Sequence, residues 1–449
     1  MPAFSAQCKH KASLAPVGNF SVRRPLRTNF PLRSIIIPKS RDITEKRDLH
    51  ESRPLWADSP RLTLRLHQKP AARDYDVVII GAGISGALAA HALADGKRRI
   101  LVVDRRRPVH GSTLASTAMI QHEIDIPLHK LAGMIGEAKA RRAWQRSARA
   151  VEQLSQIVAD LDISCAFERK KTLFLAGDAY GHRALRTETD ARHAAAIEAE
   201  FLDAASLADR FAIDRTGAIL SDVSASANPA QMAAGILRAA MTRGVEIASP
   251  LEITDVRATS DGVFLATSEG NILSARHAVF CSGYEFLKAV ADESHAIVST
   301  WALSTPPGTP LPGWLKDHIV WEGADPYLYL RRSRDGRLIA GGEDEDSEDA
   351  YASRAKLRQK AKTILRKAQT LLGVTLPEPD HLWAAPFGTT RTGLPLIGRV
   401  PDLPNVFAVM GFGGNGITFS QIAAEIVSAD IAGHGDADAD LFAFQNRKT

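Results

Sequence analysis

Hydrophobic and polar positions fall into two regimes along this chain. Short β-branched runs bounded by glycine or turn residues occur at 77–80, 100–103, 278–281 and 405–410. Such uninterrupted runs suit strands buried on both faces of a parallel sheet. Residues 296–345 instead alternate, at 297–303, 319–321, 327–330 and 338–340, with Asp335-Gly336 as a hairpin signal. That pattern predicts an antiparallel sheet with one wetter face. The acidic run 343–346 then reads as a solvated edge.

Helical periodicity fills the gaps: 84–95, 127–160 with a stripe through Val151, Leu154, Ile157, Val158 and Leu161, then 190–201, 205–211 and 353–372. Asn228-Pro229 opens a further helix, with an N-cap, proline at the first position and a Gly244 stop. Short strands are expected at 172–175, 246–247, 252–256 and 263–267.

One stretch organises the rest. The run 77–80 leads into Gly81, Gly83 and Gly86, then a helix, then the strand 100–103 ending at Asp104. Gly81 suits the tight turn, Gly83 lets backbone N–H groups approach a pyrophosphate, and Gly86 lets the helix sit against the strand. Ile84 and Ser85 open that helix, so its positive dipole end faces the phosphate. Asp104 stands where an acid accepts hydrogen bonds from a ribose. The alternative is a tight turn that holds nothing.

Two more segments carry candidate chemistry. After Arg105 comes a small, hydroxylated loop with Ser112, Thr113, Ser116 and Thr117, suited to lie against a flat ring or a phosphate. Near the C-terminus a second strand–glycine loop–helix unit contains Gly411, Gly413, Gly414, Asn415, Gly416, Ile417 and Thr418. Its N–H groups make a second anion site. Ser282-Gly283 closes the strand at 278–281.

The fold class that follows is α/β: a Rossmann-type domain with a second antiparallel-sheet (α+β) domain. The first comprises 74–162, 226–290 and 380–440, the second 163–225 and 291–379. Residues 51–73 form a lead-in. The 449 residues suffice for two such domains.

Charge changes one part of this picture. The net charge is +5, yet residues 1–40 alone carry seven Lys and Arg and no acid. Subtracting seven from five leaves −2 for the remainder, which gives a nucleic-acid partner no support. Residues 1–50 read as a disordered basic extension: an organelle-targeting segment, the product of a misassigned start, or a weak basic arm. Three scattered cysteines suggest neither disulfides nor a metal site, and favour a reducing, cytoplasmic setting. No apolar run reaches membrane-spanning length. Oligomeric state is not readable.

With both glycine loops in place, residues 74–433 resemble the D-amino-acid oxidase/glycine oxidase/sarcosine oxidase superfamily. The likeness rests on the 76–104 unit, the 111–117 loop, 278–283, Gly393-Leu394-Pro395-Leu396-Ile397-Gly398 and 411–416. It implies an FAD-binding domain and a substrate domain, with a residue matching Ile253 on the adenine and the last loop at the flavin O2–N1 edge. It implies hydride transfer from a carbon bearing nitrogen to flavin N5, then imine hydrolysis. Three departures stand out. Phe387 occupies the place of the carboxylate-binding arginine, Ile339 that of an oxygen-activating lysine, and no cysteine near 384–385 matches the covalent-flavin residue. The 116–121 and 387–390 segments look closer to a γ-glutamylputrescine oxidase-like branch.

The expected substrate is thus a small amine or N-substituted amino acid. The matching strand in the family lends a tyrosine to substrate, which singles out Tyr327. Arg331 lies on the same strand face but in a hairpin rich in solvated charge. Gln121 follows the flavin loop and is the third candidate at the reacting centre. His122 and Glu123 could also reach the flavin face, and His110 could tether it, although a lone histidine is more often structural. A flavoprotein acting only as an assembly or binding partner is the alternative. An NAD-dependent dehydrogenase would leave the 411–416 loop unexplained.

Overall fold

Five parallel strands, Val406–Met410, Ile272–Phe280, Asp74–Ile80, Ile100–Val103 and Glu246–Ala248, lie side by side in that order in a computed structural model that describes residues 42–291 and 295–445. The antiparallel strand Leu396–Arg399 closes one edge, and the Ile253–Thr259 and Gly262–Thr267 hairpin branches off Ile272–Phe280. The chain winds both ways from Asp74–Ile80, which makes that strand the point where connections reverse, the usual site of a ligand crevice. Ile80 pairs with Val103 on one side and Phe280 on the other, so the residues that follow these strands emerge at one edge.

Val77, Val78, Ile79 and Ile100 to Val103 are at most 1% exposed, as their unbroken apolar runs require. Helices Ile84–Leu93, Pro229–Thr242 and Gly416–Ile431 cover one face. Asn228 caps its helix as the sequence signals, its side chain accepting from the N–H groups of Ala230 and Gln231 at 3.1 Å each.

The second sheet has nine strands and is mostly antiparallel, with one parallel pair, His318–Gly323 on Glu168–Ala176. Helix Arg354–Leu372 packs on it. The chain is therefore α/β with a Rossmann-type sheet beside a second, largely antiparallel one.

Several expectations need correction. Strand His381–Thr390 belongs to the second sheet, pairing with His295–Ser304 over ten residues, although 380–440 was assigned to the first domain. Met119–Gln121, expected in the first domain, pairs with Gly217–Ser226 of the second sheet. The helix expected at 190–201 spans His182–Ala194. It ends where Ala196 turns to a φ of +54°, freeing Glu200–Asp203 to pair with Gly217–Ser226.

The basic extension expected over 1–50 lies outside the described residues up to 41. Residues 42–50 are packed: Thr44 bridges to Leu287, Leu49 is buried, and the Arg47 N–H donates to Glu285 at 3.2 Å. No described helix is long and apolar enough to cross a membrane.

Candidate active site

Between the two sheets lies a cavity of about 660 Å³, within the range of small-molecule and cofactor sites. Its first end is the shared strand edge. Gly81 takes a φ of +112°, and a β-carbon there would lie 2.3 Å from the Cys281 carbonyl oxygen. Helix Ile84–Leu93 starts at Gly83 with no side-chain cap, leaving its positive end facing the cavity where Gly83, Ile84 and Ser85 line it. Thr113 Oγ1 accepts from the Ile84 N–H at 3.0 Å, which locks the hydroxylated loop to that helix start. Gly86 does not line the cavity. It lets the helix approach, since a β-carbon there would lie 1.8 Å from the Gly81 carbonyl oxygen.

Asp104 accepts from the N–H groups of Ala82 at 2.7 Å and Arg106 at 2.8 Å. Burial still pushes its carboxyl above the usual range, more than those N–H groups lower it. Arg105 and Arg106 both clamp the buried Glu285, the second at 2.7 Å. Ser112, Ser116, Thr117, Ile253 and Gly283 line the same cavity.

So do Ile43, Thr44 and Leu49, a wall that sequence reasoning placed in the disordered extension. Deleting residues 1–50 should therefore lower retention of the flavin that the resemblance implies several-fold, because apolar lining and the Arg47–Glu285 contact go with it. Flavin-to-protein absorbance ratios after gel filtration test this, and an unchanged ratio would refute a role for 43–49.

The second glycine loop reaches the cavity from the other side. Gly413, Gly414, Asn415, Gly416 and Ile417 line it, and helix Gly416–Ile431 also starts without a side-chain cap. Asn415 donates instead to the Glu123 carbonyl. Gly411 and Thr418 stand behind the lining: Gly411 turns at a φ of +70°, and Thr418 donates to the Gln121 carbonyl at 3.0 Å. Asp125, which no motif signalled, accepts from the Gly414 N–H at 2.8 Å and is itself pushed up by burial. Two helix starts whose own N-cap residues supply no side-chain cap thus converge on one cavity.

The second sheet closes the cavity with Tyr327, Tyr329, Thr300, Asp344, Ala385 and Phe387. Tyr327 donates its hydroxyl to Asp344 Oδ2 at 2.6 Å. Burial first, with Asp344 nearby, raises the Tyr327 phenol far above its ordinary value. The acidic run is therefore no solvated edge. Glu343 is 6% exposed and paired with Lys360 and Lys367, while Asp344 turns into the cavity. Alternation along a strand cannot say which face another sheet will cover.

Arg331 is the clearest correction among the candidates. It is 2% exposed and does not line the cavity. It donates to the carbonyls of Thr117 at 2.7 Å and Ala227 at 3.0 Å, and lies over the Trp56 ring. Burial pulls its pKa down to about 10. Arg331 thus pins the hydroxylated loop from behind. Gln121 does line the cavity, with Oε1 unpartnered, but His122 and Glu123 turn away. His122 is fully buried on the Val223 carbonyl, and Glu123 binds Arg192 and the Trp321 indole. His110 bonds the Pro108 carbonyl outside the lining. Ile339 is buried among Trp56, Leu114 and Trp383, so the apolar residue noted at that position faces core.

A dinucleotide fits these residues: glycines whose β-carbons would collide, two open helix starts and an acid at a strand end surround one elongated lining. The family model for FAD dependent oxidoreductases (DAO) matches residues 76–429. The probable oxidoreductase OrdL of Haemophilus influenzae is 21% identical over 375 residues, covering 80% of this chain and 83% of that one. The sarcosine oxidase subunit beta of Rhodobacter capsulatus is 22% identical over 370 residues, covering 78% and 85%. The crystal structure of glycine oxidase from Geobacillus kaustophilus superposes with a TM-score of 0.67 at 20% identity, covering 82% and 96%.

Proposed function

Because the chain belongs to the DAO family of FAD-dependent oxidoreductases, we propose that it oxidises a C–N bond of a small amine or N-substituted amino acid. The observation that carries this reading is the single cavity shared by a dinucleotide cradle and a tyrosine-bearing strand of the second sheet. When bound, FAD would supply the two-electron oxidant: the carbon bearing nitrogen would lose a hydride to it, the nitrogen would lose a proton, and dioxygen or a quinone would take the electrons. Water then splits the resulting imine into a carbonyl compound and a free amine.

On this reading the protein residues bind and orient. Gly81, Gly83, Ile84 and Ser85 would hold the pyrophosphate, Asp104 the ribose, and Ile253 with Leu251 the adenine. Ser112, Thr113, Ser116, Thr117 and Gly283 lie along the middle of the cofactor. The loop from Gly413 to Gly416, whose Gly414 N–H is taken by Asp125, would present its other N–H groups and a helix start to negative charge on the bound ring. The parallel sheet is then the cofactor domain and the second sheet the substrate domain.

Tyr327 faces the substrate. Phe387 lines the cavity where the family resemblance implies a guanidinium that would grip an α-carboxylate with two parallel bonds, so amines should be preferred over simple α-amino acids.

An anaerobic screen of amines and amino acids against the yellow holoprotein tests this. Loss of flavin absorbance with an amine is expected. Bleaching by dithionite but by no amine or amino acid in the screen would count against the reading.

A further inference from the structure

Among the described residues, the substrate side of the cavity presents a single cation, Lys130, and no arginine. Among the described residues, the lining cations are Arg105, Arg106 and Lys130. The two arginines are committed to Glu285 at the nucleotide end, and Lys130 Nζ sits 4.7 Å above the Tyr180 ring. Arg331 is turned to backbone carbonyls behind the wall.

What faces the space instead is acidic and aromatic. Asp344 and Asp125 line it, with the exposed Asp325 and Asp346 at its rim. Phe174 and Trp321 stack at 3.9 Å in the same wall. Two acceptors there lack a donor of good geometry: Asp344 Oδ1 and Oε1 of Gln121, which is only 8% exposed. The Thr300 hydroxyl lies near enough to lower the Asp344 pKa, but it makes no well-formed bond to Oδ1. Buried acceptors left open are costly unless a ligand supplies donors.

We propose that Asp344, held by Tyr327, is a cation subsite, so that the amine oxidised here carries a second, protonated nitrogen, as in a diamine or polyamine. This rests on the amine-oxidising reading and narrows its substrate class. An ammonium offers three donors and a full charge to Asp344 Oδ1, and the aromatic wall can accommodate a cation at its face. A carboxylate at Asp344 would meet a like charge there and offer Oδ1 no donor.

The carboxyl of Asp344 supports a pH signature. Burial raises its pKa to about 6, Asp125 adds to that, and Thr300, Tyr327 and Lys360 of the covering helix hold it down. Tyr329 also faces it, as a neutral phenol. Glu343 and Glu345 beside it are paired with lysines. Above about 6 the free subsite is anionic, and protonation below that removes its attraction for a cation.

Calorimetric titration of the holoprotein with 1,5-diaminopentane, pentylamine and 5-aminopentanoate tests the subsite without requiring turnover. The diamine should bind about tenfold or more tightly than pentylamine at pH 8, the scale of one charge-assisted hydrogen bond. That ratio should collapse in Asp344→Asn and fade in wild type as pH falls through about 6. Retained flavin absorbance would show that the variant is folded.

Equal Kd values for diamine and monoamine, tighter binding of the amino acid, or a ratio unchanged in Asp344→Asn would overturn the subsite. Parallel anaerobic mixing separates the two claims. Tight diamine binding without bleaching by any amine would uphold the subsite while counting against amine oxidation.

Discussion

Replacing Arg192 with methionine should destabilise the protein by about 3–5 kcal/mol, the usual cost of removing one partner of a buried charge network. Arg192 is fully buried and holds Glu123, Glu188 at 2.9 Å and Ser221 at 3.1 Å, under the Trp144 ring. Its loss strands two carboxylates that have other work. Glu188 accepts from the N–H groups of Leu128 and His129 at 3.0 Å each, at the start of a helix. Glu123 anchors the Trp321 indole at 2.8 Å in the cavity wall.

Acid should narrow the difference. Burial alone would raise the Glu188 carboxyl, but His129 and the Arg192 charge hold it below its ordinary value in the wild type. A carboxyl lowered on folding contributes stability above its unfolded pKa and loses it as pH falls through the folded pKa. Without Arg192 the burial effect gains weight at Glu188, that carboxyl protonates more readily, and the variant regains ground near pH 5. Thermal melts at saturating FAD across pH 5–8 measure this. A variant melting with the wild type at pH 8 would sink the argument.

Gly86→Ala should leave protein that retains little flavin. The added carbon would sit 1.8 Å from the Gly81 carbonyl oxygen and 3.6 Å from Ile79. The first distance is far inside contact, and the obstacle is backbone. Either the helix start withdraws or the turn at Gly81 opens, and both displace the N–H groups facing the cavity. Overpacking costs of about 1–3 kcal/mol translate into roughly tenfold or greater loss of affinity. Gly133→Ala is the matched control, since its helix position has nothing within 4 Å and alanine favours a helix. Comparable flavin content and Kd in both variants would show that the close approach at Gly86 is unimportant.

The two glycine loops, the strands around them and the Asn228 cap were legible in the chain because each obeys short-range rules. A tight turn needs a missing side chain, a doubly covered strand needs an unbroken apolar run, and a helix start needs an acceptor or an open end. Parallel register then carries Gly81, Asp104, Gly283 and Gly411 to one edge, so a local motif implied a whole cofactor cradle.

Asp125, Asp344, Arg331 and residues 42–50 were not legible in that way, because their environments come from distant segments. Asp344 reads as surface charge until the strands bearing Tyr327 and Thr300 and the loop at Asp125 enclose it. Arg331 reads as a hairpin cation until Thr117 and Ala227, 214 and 104 positions away, present carbonyls to it. Residues 42–50 have no periodicity of their own, and Glu285, Phe286 and Leu287 supply their partners. Sequence alone determined which backbone turns and strands could form, since steric exclusion acts between neighbours. Tertiary structure decided which charges face the cavity, since desolvation and pairing depend on what packs against them.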